Sequence, residues 1–468
     1  MSPALTHAAK IKIINTRGIK VKVTKVAIAT SLTILSANCL SAGFLEDAKT
    51  SVGARSLYFE NDVREAGGAD QRQTALGLRA DFASGFTEGT VGFGLDVQAL
   101  TAFNLGGGID NQSASTVNTV TPVTSDGSPV DTWARLGGNA KFKVSQTELK
   151  IGNALMPNLP ILVSNNSRVM PQAFEGGILS VKELNGLNLV GGKITDGSSR
   201  ASSNYSALAV NGGARGSNSF TFIGGDWSPT KDLLLQYYHA ELKDYYVQDF
   251  AGLVYTYQIM PGHTLKGDLR YFDNGSDGKS GSNGYVFNNA GGFASKPGEV
   301  ENQTWAAMLT YSFGGHALLL GYQSVSDDGS MVYVNSGSVR DGKNSLEGQG
   351  GASVYLFTDV MANTFIRAGE NTTFGQYSYD FVANGIPGLK ASLIYLKGEN
   401  IKDRTGNGRE YSEWERDMRL DYVIQSGPLK DFGASLMRGN FRTEVPGSQG
   451  GADVDQTRLY LNYTYSFK

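Results

Sequence analysis

The residues with most chemistry to offer are cations on one face of alternating segments: Arg55, Arg79, Arg135, Lys141, Lys143, Lys150, Lys182, Lys266, Arg270, Arg419 and Arg458. Strung along a confined passage, such groups would compensate an anion that sheds part of its hydration, and arginine's fork grips a carboxylate at two points. Several weak sites speed transit where one tight site would trap the solute. The competing reading for each cation is that it pairs with a nearby acid and fills the wall; Asp268 stands two residues from both Lys266 and Arg270. Arg168 is set apart as the one cation of residues 156–177, where Pro157, Pro160 and Pro171 exclude a central strand and a regular helix. Beside it Asn165, Asn166 and Ser167 can donate to or accept from a solute. The segment is expected to be an inward-folded constriction with Arg168 as its binding group. The alternative is a salt bridge to Glu175 or a wall acid that merely pins the loop. Asp328, after Asp327 at a strand end, could contact a substrate ammonium, though a plain turn explains the pair equally.

Other chemistries lack their parts. His239, His263 and His316 have no serine and acid in a recognisable nucleophilic arrangement, so an enzyme is not expected, and no cofactor is implied. The sole cysteine, Cys39, allows no intrachain disulfide, and a net charge of −3 argues against a general nucleic-acid binder.

The elements that must position these cations are strands. In residues 90–99, Val91, Phe93, Leu95, Val97 and Ala99 share one face, opposite Gly92, Gly94, Asp96 and Gln98. This period of two recurs over most of the chain and gives about seventeen to nineteen strands, with 354–359 and 364–370 counted among them. Short connections, such as Ser145-Gln146 and Asn185-Gly186, alternate with long polar loops at 104–131, 273–303 and 325–351. With 60 glycines, 22 tyrosines and 22 phenylalanines in 468 residues, and a mean hydropathy of −0.23, the composition suits a wall whose lipid-facing and lumen-facing residues cancel. Tyr237, Tyr238, Tyr245, Tyr246, Trp305, Tyr311 and Phe313 are expected in interfacial girdles. A soluble sandwich or propeller would hold its apolar residues inside and need no glycine opposite them.

Residues 1–42 are expected to be an export signal: Lys10, Lys12, Arg17, Lys20, Lys22 and Lys25 precede a short apolar run at 26–37, and Leu40-Ser41-Ala42 offers a cleavage site before Gly43. The run is too short to span a bilayer as a helix, and Asn38 before Cys39 fits lipidation poorly. Residues 43–468 are then one all-β domain, a transmembrane antiparallel up-and-down β-barrel of about eighteen strands with an inward-folded loop, in the bacterial outer membrane among lipid and lipopolysaccharide. Leu459, Leu461, Tyr463, Tyr465 and Phe467 give the last strand an aromatic face that the barrel-assembly machinery would read. Monomer and loose homotrimer both remain open.

Collinear stretches resemble the OprD-type outer-membrane carboxylate channels. They include Gly43-Phe44-Leu45-Glu46-Asp47, Ser84-Gly85-Phe86-Thr87-Glu88-Gly89, residues 156–177, Ser312-Phe313-Gly314-Gly315-His316 and Trp414-Glu415-Arg416-Asp417. The resemblance implies an eighteen-stranded barrel, a third extracellular loop that narrows the pore, and passage of small carboxylates such as amino acids, short peptides and organic or aromatic acids. One departure stands out: Ile394, Ser435 and Met437 occupy lumen-parity positions where the family's basic ladder suggests Arg or Lys. A general diffusion porin with little selectivity, or an adhesive barrel without conductance, are the alternatives.

Overall fold

In the computed structural model, which describes residues 43–65, 68–110, 118–124, 127–336 and 351–467, the chain closes into a barrel. The export signal expected over 1–42 lies outside the described residues. The strands in chain order are β1 Lys49–Val63, β2 Gln71–Ala83, β3 Gly92–Ile109, β4 Thr132–Val144, β5 Thr147–Leu155 and β6 Ala173–Leu184. They continue as β7 Leu187–Ser198, β8 Phe220–Thr230, β9 Leu233–Leu242, β10 Tyr246–Met260, β11 His263–Ser276 and β12 Glu301–Phe313. The last are β13 His316–Val325, β14 Asn371–Asp380, β15 Leu389–Lys402, β16 Glu410–Val423, β17 Gly433–Thr443 and β18 Val454–Phe467. Each pairs antiparallel with the next, and β1 closes the ring on β18 from Thr50↔Phe467 to Val63↔Val454. Of the 20 strands in the sheet, Ser206–Ala209 and Asn335–Ser336 are short additions, leaving eighteen in the wall. Closure satisfies every ladder and leaves no edge, which is what lipid demands.

Parity assigns the two faces. Leu136 at 70%, Ile223 at 67% and Leu320 at 60% exposure point outward, where acyl chains cover them. The expected cation-bearing face points inward throughout, including Ile394, Ser435 and Met437, which stand opposite Asp417, Asp421 and Arg419. Both expected tight turns are present, with Ser145 at φ 53° and Gly186 at φ 75°. The strands run further than alternation alone suggested: β3 continues to Ile109 and β11 to Ser276, shortening the loops after them.

One side of the lumen is not polar. Phe220, Phe222, Tyr238, Phe250 and Phe272 point inward from β8–β11 and form one buried cluster with Leu155, Ile161, Leu162, Val332, Val334 and Leu356. Tyr238, Tyr245 and Tyr246 therefore belong to the interior, not to the girdles, while Tyr237 and Trp305 do face outward. The inner rings stack on one another (Phe250–Phe272 centroids 4.7 Å apart) and bury apolar surface against the loops. The open passage is thereby pushed towards the opposite wall.

Two loops fill the lumen. The first, 156–172, leaves β5 and re-enters at β6 through register shifts at Gly152/Leu155 and Glu175/Gly176. Gly176 has φ 153°, and a Cβ there would lie 2.1 Å from the Lys193 carbonyl oxygen, so only glycine permits this bulge. Within the loop Asn158–Leu159 and Leu162–Val163 form a miniature hairpin around Pro160, a pairing the prolines concealed. Ile161 and Leu162 enter the aromatic cluster; Val169 and Met170 pack on Leu57, Phe59, Ala75 and Leu100. The second loop corrects the strands expected at 354–359 and 364–370. These residues are irregular, lie inside the barrel and bury Val354, Leu356, Met361, Phe365 and Ile366. Their apolar run serves the interior on several sides, and Phe365 at φ 53° breaks any extended path. The loops expected to be polar also contribute core, through Phe287, Val300, Met331 and Val332.

Candidate functional site

A cavity of about 590 Å³ opens above the first loop between Phe59, Gln71, Arg168, Arg200, Tyr333, Asp359 and Arg458. A second, of about 330 Å³, lies on the other side of the same loop, lined by Arg55, Arg79, Asp81, Asn166, Pro171 and Asn462. Asn165, Ser167 and Arg168 face the upper space, Asn166 and Val169 the lower. The chain between Asn165 and Val169 is thus the partition.

Arg168 is 5% exposed, and its guanidinium lies 4.4 Å from the Phe59 ring centre. It donates to the Ser167 carbonyl (2.7 Å) and to Thr119 Oγ1 (3.0 Å), while its Nε is buried with no partner among the described residues. Arg200 donates to Asn165 Oδ1 (3.1 Å) and to Ser167 Oγ. Arg458 donates to Gln456 Oε1 (2.6 Å) and to the Met361 carbonyl (2.6 Å). Among the described residues no carboxylate lies within 4 Å of these three guanidinium groups, and Glu175 sits on β6 opposite Asp196. Burial first, and then Arg200 and Arg458, push the Arg168 pKa well down; burial and Arg458 lower Arg200 to about 10. Three crowded cations in a poorly solvated space are relieved by an arriving anion.

Asp359, from the second loop, faces them. It accepts from the Val354 N–H (3.0 Å), and burial raises its pKa to about 6 against the opposing pull of that N–H and of Arg200 and Arg458.

The other cations of the stripe divide by partner. Arg55 holds the loop from below, donating to Asn166 Oδ1 (2.9 Å), the Arg168 carbonyl (2.9 Å) and Asn462 Oδ1 (2.8 Å). Arg135 is buried and donates to Ser198 Oγ (2.8 Å) and to the Pro171 carbonyl, so it pins the loop instead of lining a solute path. Arg79 pairs with Asp81, Lys141 with Asp96 (2.7 Å), Lys150 with Asp96 (3.3 Å), Arg270 with Asp268 (3.0 Å) and Arg419 with Asp421 (2.6 Å). Arg270 also bonds the Tyr355 carbonyl (3.0 Å), which ties the second loop to the aromatic wall. Lys143, Lys182 and Lys266 are exposed near the short turns, away from the constriction. Asp328 does not line the cavity; the neighbouring Asp327 pairs with Lys402 (2.7 Å), and Asp359 supplies the acid that faces the passage. Arg200 and Asp359 are not singled out by the sequence: Arg200 lies two residues past the end of β7, in a polar segment with no periodicity, and Asp359 lies in a segment read as a strand. The three histidines serve the wall, with His263 and His316 stacked on Phe313 at 5.9 and 4.7 Å.

Comparison with known proteins gives one consistent answer. The family model described as outer membrane porin, OprD family, matches residues 42–467. Porin-like protein GalP of Pseudomonas putida is 30% identical over 94% of this chain and 96% of its own length. The crystal structure of Pseudomonas aeruginosa OccK8 (OprE) superposes with a TM-score of 0.79 at 37% identity, covering 91% of this chain and 100% of that one. Pseudomonas aeruginosa OpdK, solved with vanillate, gives 0.77 at 31% identity with the same coverage.

Proposed function

The chain belongs to the OprD family of outer-membrane porins, and on that premise we propose that it passes small carboxylate-bearing solutes selectively, with Arg168, Arg200 and Arg458 as the binding groups of the constriction. The carrying observation is that three guanidinium groups line one cavity of about 590 Å³ without a carboxylate within 4 Å among the described residues, Arg168 Nε being left without a partner. A solute carboxylate supplies the missing acceptor. Asp359 across the space favours solutes that add an ammonium or hydroxyl donor. OpdK solved with vanillate, an aromatic carboxylate, supports the same class. Arg55 and Arg135 hold the loop, and the acid-paired cations below offer a passing anion only shared, weak sites.

The test is uptake into proteoliposomes of a panel of amino acids, aromatic acids and neutral sugars. Arg168→Ala removes a charge-assisted contact worth about 1.5–3 kcal/mol, so uptake of the preferred carboxylate falls roughly tenfold or more while neutral sugars are unaffected. Arg168→Lys keeps the charge and restores part of the preference. Unchanged carboxylate uptake in Arg168→Ala removes the role assigned to that residue, and a large conductance without discrimination makes the chain a general diffusion porin.

A further inference from the structure

One turn of the second loop is held by three bonds to a single wall side chain, beside the bonds from Arg270, Arg458 and Gln323 elsewhere in the loop. Glu415 of β16 is fully buried on the lumen face, between Leu396 and Phe441. Its Oε1 accepts the N–H groups of Met361 (3.2 Å) and Ala362 (2.7 Å), and its Oε2 that of Asn363 (2.9 Å). Three successive N–H groups of an irregular chain, buried inside a barrel, would otherwise lack acceptors. Converging on one carboxyl group, they form a backbone nest around an acceptor that the wall itself provides. The same turn is gripped from the other side, since the Met361 carbonyl accepts from Arg458 (2.6 Å). Asp359 lies two residues upstream. Further along, Arg367 donates to the carbonyls of Ala290 (3.0 Å), Gln449 (3.1 Å) and Gly450 (3.3 Å), joining the loop to two outer loops.

We propose that Glu415 is a positioning residue: by clamping the turn Met361–Asn363 to the barrel wall it sets where Asp359 and Arg458 stand, and so the width and charge of the passage. The clamp makes the loop a fixed wall of the pore and not a swinging lid. This rests on residues 351–370 forming one side of the passage, but not on any preference for carboxylates.

The experiment is single-channel recording of the full barrel in planar bilayers with symmetric potassium chloride. Glu415→Gln keeps the volume but turns an amide NH₂ towards N–H donors, so at least one of the three bonds is lost. The displaced state of the turn becomes on the order of tenfold more populated, read as excess open-channel noise and substates. A merely structural role would lower the temperature at which the folded form converts on a gel and leave the open-channel current quiet. Glu415→Asp, which keeps the carboxyl group but shortens the reach, gives intermediate noise. A staple supplies the rescue. A Cβ on Gly439 would lie 3.2 Å from that of Met361, slightly inside the roughly 3.5–4.5 Å of a disulfide, and 2.7 Å from Asp417 Oδ1, so the Asp417 carboxyl must swing aside for the bridge to form. Glu415→Gln combined with Met361→Cys and Gly439→Cys becomes quiet when oxidised and noisy again when reduced. A folded Glu415→Gln channel as quiet as the parent overturns the proposal, as does noise that the oxidised staple leaves unchanged. If only Glu415→Asp assembles, its noise decides in the same way. Since no carboxylate is present, a failed selectivity test leaves this result independent.

Discussion

Asp359 offers a prediction that can be worked from the geometry. Its carboxyl, buried in the vestibule and raised to about 6, is about 97% ionised at pH 7.5 and about 9% at pH 5. A raised pKa means the neutral form dominates below about 6, so acidification removes the one negative charge that, among the described residues, lines the cavity with Arg168, Arg200 and Arg458. A cavity of about 590 Å³ has the volume of a sphere roughly 5 Å in radius, which sets the distance from a central solute to the wall. A unit charge at roughly 5 Å is worth about 0.8 kcal/mol in water and about 3 kcal/mol at an effective dielectric of 20. Taking the value for water as the floor, screening over a Debye length of about 8 Å leaves roughly half of it at about 5 Å, and an anion-to-cation ratio counts that half twice, once for each ion. The anion-to-cation permeability ratio, read from the reversal potential in a salt gradient, should therefore rise roughly fourfold from pH 7.5 to pH 5, with its midpoint near 6. Asp359→Asn should hold the high ratio at both pH values. Among the described residues the cavity lining contains no histidine to imitate the effect. A pH shift of the same size in Asp359→Asn refutes the assignment.

Two further outcomes follow from how cations and glycines are partnered. Arg419→Ala should shift the channel towards cations, because it strips Asp421 of a two-point partner (2.6 and 2.9 Å), and Arg419→Ala with Asp421→Asn should return reversal potentials to the parent value. Gly321→Ala should lower the temperature at which the folded barrel converts on a gel, at a cost of about 1–3 kcal/mol, since its Cβ would fall 2.2 Å from the Phe374 ring, itself stacked on Phe357 at 5.0 Å; Gly267→Ala, with nothing within 4 Å, is the neutral control.

The wall was legible in the sequence because a barrel strand meets two different media, and each residue's parity records which one. Arg135 and Leu136, or Leu269 and Arg270, are neighbours on one strand that face opposite sides of the sheet, the arginine inward and the leucine outward. The prolines of 156–177 marked the partition for the same kind of reason, since they forbid the ladder. The second loop left no such mark. Val354, Leu356 and Ile366 are as apolar as lipid-facing residues, and a short apolar run reads alike whether it meets acyl chains or a packed lumen. The inward rings of β8–β11 were hidden in the same way: Tyr238 lies on the parity of polar lumen residues yet is completely buried. Arg200 could not be found at all, because a loop residue's destination depends on where the loop folds.

Residue type alone therefore does not sort the basic stripe; the partner does. Arg270 and Arg458 are both inward-facing arginines that donate to a carbonyl of the second loop, at Tyr355 and at Met361. Arg270 carries Asp268 at 3.0 Å and sits beside the aromatic cluster, so its charge is spent within the protein and it serves as scaffold. Arg458 has no carboxylate within 4 Å among the described residues and borders the open cavity, so its field reaches a solute. The aromatic filling of β8–β11 enforces this division. By filling one side of the lumen it leaves the open cavity on the side where Arg168, Arg200 and Arg458 stand. Substitutions on the filled side should act on stability, and those on the open side on which ions pass.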